Sequence, residues 1–174
     1  MIRVVAGLIA LTAMLATASC SDTVIARQDY DRLNALASDA EALRRTLSDV
    51  TIRSFDPLVG TQYEYHSADG RTWLALRGRT VPTLGRWVVR PRGNVNDICY
   101  TYGGSSPSCD LGYYVLVKPE IVDGDPLGLS SGAPLAAPLP TGAEATIASA
   151  ASVLGRSPDI QPRVQYSRVP RGSN

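Results

Sequence analysis

Tyr63-Glu64-Tyr65-His66-Ser67-Ala68-Asp69-Gly70-Arg71-Thr72-Trp73-Leu74-Ala75-Leu76 is the stretch on which the fold turns. Its first part alternates aromatic and polar side chains, the period of a strand with two unlike faces. Ala68-Asp69-Gly70 then breaks the pattern, and a glycine there accepts the positive φ that a hairpin turn requires. Trp73-Leu74-Ala75-Leu76 resumes it as a strand apolar on both faces, which implies cover on both. Two antiparallel strands, residues 58–67 and 71–77, are therefore predicted, with Tyr63 and Tyr65 turned to the core and Glu64 to solvent.

The same signals repeat downstream. Pro82-Thr83-Leu84-Gly85 and Pro91-Arg92-Gly93-Asn94 read as turns, and Trp87-Val88-Val89 and Ile98, Tyr100 and Tyr102 as the strands between and after them. A polar loop follows over residues 103–110. Residues 111–118, containing Tyr113-Tyr114-Val115-Leu116-Val117, complete a predicted five-stranded antiparallel meander, barrel-like or an open sandwich. Of the 11 aromatic residues, nine lie between Phe55 and Tyr114 and are the expected core. The arginines among them, such as Arg71, Arg77 and Arg86, read as flanking that core rather than as a stacking face for sugars or peptides. So small a β unit buries little surface alone and needs staples or a cover.

Upstream, residues 24–53 read as one amphipathic helix capped by Asp22 or Thr23. Leu33, Leu36, Ala40, Leu43, Leu47 and Val50 form an a/d seam. The seam serves either to pack the helix on its own domain or to join two copies as a homodimer through residues 33–50; at this length the first is favoured. Downstream, residues 119–174 hold eight of the 12 prolines and one aromatic, Tyr166, and are predicted to be mostly disordered. Within them residues 143–154 could form a short Ala-rich helix starting from Thr141 or Gly142 and ending at Gly155. The fold class expected is thus mainly β with an N-terminal helix (α+β) and a disordered C-terminal tail.

The chain's start reads as an address. Arg3 precedes an uncharged run from Val4 to Ser21 whose end is Ala16-Thr17-Ala18-Ser19-Cys20. A basic start, an apolar run and small residues make a secretory signal. Ala16-x-Ala18 suits ordinary signal peptidase. Ala18-Ser19-Cys20 resembles a bacterial lipobox, with Thr17 where that motif usually carries Leu, and lipidation of Cys20 is the reading preferred. Acyl chains contribute about 0.8 kcal/mol per buried CH₂, so two or three would anchor the chain permanently. Ser21 after the cysteine points to the outer membrane, facing the periplasm; a soluble periplasmic chain is the alternative. Four segments result: signal peptide 1–19, anchor linker and helix 20–56, β domain 57–118 and tail 119–174.

The 174 residues carry 17 bases and 16 acids, and removing residues 1–19 takes away Arg3 and no acid. That balance gives no basic field for nucleic acid. The three cysteines fit the same address: Cys20 for lipid, Cys99 and Cys109 for a disulfide in an oxidising compartment.

Chemistry is harder to find. His66, the sole histidine, is read as an exposed strand-end residue; its neighbour Ser67 points to the opposite face, which disfavours a triad. No nucleophile elbow, phosphate loop, metal-ligand spacing or dinucleotide fingerprint appears. No catalytic residue, metal or cofactor is assigned. The loop Gly103, Gly104, Ser105, Ser106, Pro107 and Ser108, clamped by the disulfide, is the candidate binding element. Gly60-Thr61, Tyr65-x-Ser67-x-Asp69-Gly70-Arg71, Gly85-x-Trp87 and Ile98-Cys99-Tyr100-x-Tyr102 with Cys109 together resemble a small exported domain of unknown function common in alphaproteobacteria. The resemblance implies a secreted β fold with one disulfide and carries over no catalytic residue. A weaker architectural analogy is to periplasmic lipoprotein inhibitors of lysozyme.

The expected function is non-catalytic: an envelope lipoprotein with a binding or structural role, its partner an envelope protein or the cell wall. The alternatives are an inhibitor or sensor of an envelope hydrolase such as lysozyme, acting through the 103–108 loop, and a small carbohydrate-active enzyme using Glu64 or Asp69.

Overall fold

The computed structural model describes residues 23–25, 27–118, 120–156, 160 and 168–170. Cys20 and residues 1–19, read from sequence as a signal peptide, lie outside the described residues. The elements in chain order are β1 (Thr23–Ile25), α1 (Arg27–Ser38), α2 (Ala40–Leu47), β2 (Val50–Asp56), β3 (Gly60–His66), β4 (Arg71–Ala75), β5 (Thr83–Arg92), β6 (Val95–Tyr102), β7 (Ser108–Leu111), α3 (Gly112–Leu116), β8 (Glu120–Asp123), a 3-10 turn at Leu129–Ser131, α4 (Ile147–Val153) and β9 (Arg168–Pro170).

The predicted hairpin is the centre of a larger sheet. Seven strands pair antiparallel in the order β7-β6-β5-β4-β3-β2-β8 and curl into a half-barrel; β1 and β9 form a separate two-stranded pair. Tyr65 lies opposite Trp73 and His66 opposite Thr72. At the turn Gly70 has φ +84° and accepts a 2.9 Å bond from Trp87 N–H. A Cβ there would lie 3.3 Å from the Trp87 carbonyl, so position 70 needs glycine for both space and conformation.

The sheet has seven strands rather than the five predicted. The first addition comes from the stretch read as one long helix. Asp39 ends that helix and caps the next, its Oδ1 accepting from Glu41 N–H and Ala42 N–H at 3.0 and 2.9 Å. Asp49, with φ +55°, turns the chain out of α2 into Val50-Thr51-Ile52, whose β-branched side chains suit a strand. The expected boundary at residue 57 thus falls inside the β2–β3 hairpin. At the far end, residues 111–118 form helix α3 instead of a strand, and pairing is taken by β7, within the expected loop. The second addition, β8, pairs with β2. Among the described residues no helix is long and apolar enough to cross a membrane.

Each sheet face has its own cover. On the concave face α1, α2 and α3 pack Leu33, Leu43, Leu47, Val115 and Leu116 against Val50, Ile52, Trp87 and Ile98. Of the six seam residues, Leu33, Leu43, Leu47 and Val50 are wholly buried in the chain's own core, Leu36 is half-buried against it and Ala40 is exposed. On the convex face Tyr63, Tyr65, Trp73 and Ala75 meet Leu127, Leu129, Ile147, Ala150 and Ala151. That cover comes from the segment 119–174 expected to be mostly disordered: residues 120–156 of it hold β8, the 3-10 turn and α4, and the remainder, apart from residues 160 and 168–170, lies outside the described residues. Helix α4 begins later than predicted, at a capping box between Thr146 and Ser149.

The Cys99–Cys109 disulfide is present and joins directly opposed residues of β6 and β7. The half-barrel is thus mainly β, antiparallel and disulfide-stapled.

Candidate functional site

The register of the sheet decides what the concave face presents. Ile52 and Ser54 on β2 oppose Glu64 and Gln62 on β3; Glu64 opposes Leu74; Gly85 opposes Tyr102; Tyr100 opposes Ser108. Paired residues share a face, so these side chains line one hollow. The three helices fill only the end of it at Val50, Trp87 and Ile98. The remainder is an open cleft of about 450 Å³. Its walls include Phe55, Leu74 and Val115, and its polar lining includes Ser54, Gln62, Tyr100, Ser108, Asp110 and Lys118, the chain's sole lysine.

Glu64 sits on the floor, with 18% of its side chain exposed. Its Oε1 accepts from Thr72 Oγ1 at 2.8 Å and from the Tyr102 hydroxyl. The His66 imidazole lies beside it, Nε2 to Oε1 at 3.5 Å. Oε2 accepts from no described residue and is not wholly buried, and Glu64 lines the cleft. Burial opposes the charge on this carboxylate and would raise its pKa; His66 and the Tyr102 and Thr72 hydroxyls more than offset that, and the pKa is lowered. The group is a fixed, ionised acceptor. Burial, with the Glu64 charge adding to it, pushes the Tyr102 and Tyr100 phenols up, so both stay protonated donors.

His66 is fully buried rather than an exposed strand-end residue. It stacks on Trp87, ring centres 4.9 Å apart at 19°, and lies 5.5 Å from Tyr100. Neither ring nitrogen makes a hydrogen bond. Asp69 stays in the hairpin turn, held by Ser67 and by Arg71 Nε at 2.7 Å, and does not line the cleft. The structure therefore separates the two carboxylates considered for catalysis by role.

The loop residues Gly103, Gly104, Ser105, Ser106, Pro107 and Ser108 are all exposed. They run from Tyr102 to β7, and Tyr102 and Ser108 at either end both line the cleft. Loop and cleft are one continuous surface. Gln62 was not singled out from sequence, and Glu64 only as a catalytic carboxylate of the carbohydrate-active alternative; the signal available was two polar residues alternating with buried aromatics on a central strand. Among the described residues no group of three or more His, Cys, Asp or Glu is placed to hold a metal ion.

Comparison with family models, with curated proteins and with solved structures finds no match to this chain.

Proposed function

We propose that the protein is a lipid-anchored, non-catalytic binding protein of the bacterial envelope, held through Cys20 at the outer membrane and engaging its ligand in the cleft on the concave face. The observation that carries the binding role is Glu64: a charged carboxylate lining a cleft, one oxygen anchored by two hydroxyls and the other with no partner among the described residues. An ion removed from water costs about several kcal/mol, and sequences retain such groups chiefly where they are used. Its lowered pKa argues against a role as a glycosidase's proton donor, which needs the opposite shift. The lipid anchor rests on the Ala18-Ser19-Cys20 sequence.

Two measurements test the reading. The intact mass of the mature chain from its native envelope should carry a diacyl or triacyl increment that Cys20→Ala abolishes; a lipid-free chain starting before Cys20 would make it soluble in the periplasm. Sedimentation of the mature chain with purified envelope fragments should fall when Gln62→Trp plugs the cleft. Equal sedimentation of the plugged protein would remove the cleft from the proposal.

A second reading has its own observation. The 103–108 loop is fully exposed and clamped beside the disulfide, a shape suited to entering another protein's active site. If the protein inhibits an envelope hydrolase through it, deleting residues 103–107 abolishes inhibition in a lysozyme assay; undiminished inhibition sinks that role.

A further inference from the structure

Resting on the cleft reading, we infer that the ligand class is a short carbohydrate, a mono- or disaccharide unit of a larger glycan, anchored by Glu64 Oε2. The argument is one of complementarity. The volume of about 450 Å³ falls within the roughly 300–1,000 Å³ of small-molecule sites. An anionic ligand would meet three carboxylates, Asp56, Glu64 and Asp110, with Lys118 the one cation in the lining. A purely apolar ligand would bury Ser54, Gln62 and Ser108 without partners, at about 1–3 kcal/mol for each group. A bare amine would donate to the carboxylates, the Gln62 carbonyl and the serine oxygens, but it brings no acceptor for the Gln62 NH₂ or the Lys118 ammonium.

A pyranose answers both needs, since every hydroxyl donates and accepts. The side chains of Ser54, Gln62, Ser108, Asp110 and Lys118 make no hydrogen bond or ion pair to any described residue. Phe55, Leu74 and the rings of Tyr100 and Tyr102 supply the apolar surface that the C–H face of a sugar ring covers. Glu64, fixed through Oε1, loses little freedom when Oε2 takes a hydroxyl or acetamido N–H. Tyr102 and Thr72 are positioning residues: they hold the carboxylate.

The test is an NMR titration of the full mature chain with the N-acetylglucosamine disaccharide, and separately with spermidine. Chitobiose should shift the Gln62 side-chain amide and the Tyr102 and Ser108 backbone amides. Affinity should drop about tenfold in Glu64→Gln, Gln62→Ala and Lys118→Ala, and stay unchanged in Asp69→Asn. Gln62 and Lys118 bond to nothing described, so their variants report on the ligand even if Glu64→Gln perturbs folding. Absence of chitobiose shifts overturns the inference, as does equal binding by the Gln62→Ala and Lys118→Ala variants, or spermidine binding in chitobiose's place. None of these outcomes touches the cleft reading itself, which stands or falls with the plugged variant's sedimentation.

Discussion

Glu64 is paired across the sheet with Leu74 and beneath the cleft with His66, and its ionisation couples binding to stability. Because its folded pKa lies below the ordinary carboxylate value of 4.5, the stabilisation it gives is present above that pH. It is lost as pH falls below 4.5 and through the folded pKa. Glu64→Gln should therefore flatten the acid limb of a stability-versus-pH curve measured by urea unfolding, while the wild type loses stability steadily over that range. An unaltered acid limb would mean that Glu64 is not held in this way. Gly85 tests the geometry from the other side. Its φ lies outside the left-handed region, so alanine meets no conformational bar. A Cβ there, however, would stand 2.4 Å from Tyr102 Cδ1 and 2.7 Å from the Thr101 carbonyl. Gly85→Ala should cost about 1–3 kcal/mol in unfolding free energy and, by displacing Tyr102, remove one of the two hydroxyls that hold Glu64 Oε1. The Gly85-x-Trp87 spacing was visible in the sequence, but its cause, a tyrosine ring lying over a bare backbone on the adjacent strand, was not.

At the scale of elements, the hairpin, its turn and the disulfide were legible because each rests on local chemistry. Gly70 permits one turn, and Tyr63 and Tyr65 alternate against Glu64 and His66. What misled was the meaning of that alternation. In a two-layer fold the polar face of a strand meets water; here it meets the helices at His66 and the cleft at Glu64, so both faces of β3 are interior. The break at Asp39 was hidden for a related reason: an aspartate on the polar side of a helix and an aspartate capping a new helix look alike until the backbone turns. Strand β7 was missed because Ser108-Cys109-Asp110 has little strand propensity of its own, and pairing with β6 through Cys99–Cys109 carries it. With a sequence separation of 10, that cross-link should contribute roughly 2–3 kcal/mol in the chain-entropy model. Replacing both cysteines with serine should lower the unfolding free energy by about that amount. Amide exchange should then accelerate in β7 while the β3–β4 ladder stays protected. Since β7 supplies Ser108 and Asp110 to the cleft, ligand affinity should fall with it.

For the whole molecule the decisive fact is the three-layer arrangement, and its third layer is the proline-rich segment. Proline lacks an N–H, so such a segment cannot build a ladder, but its carbonyls remain free to accept. The sheet provides donors where they are needed. The Tyr63 hydroxyl donates to the Pro140 carbonyl at 2.9 Å, Thr61 N–H to Thr141 at 3.0 Å, Thr61 Oγ1 to Gly142 at 2.6 Å, and Arg53 to Ala143. No periodicity marks a segment held in this way, which is why composition pointed to disorder. The consequence is sharp for a chain stopped after Gly124. Tyr63, Tyr65 and Trp73 would lose their cover from Leu127, Leu129, Ile147 and Ala150. Aromatic side chains bury roughly 150–250 Å² each. At about 25 cal/mol per Å², exposing three of them costs on the order of 10 kcal/mol as an upper figure, comparable to the roughly 5–15 kcal/mol that holds an ordinary domain together. The truncated chain should lose its near-UV circular dichroism and its cooperative melt, even with the 99–109 disulfide intact. A dispensable tail would leave the melting temperature unchanged, and that result would show that the β sheet and its helices fold without the convex layer.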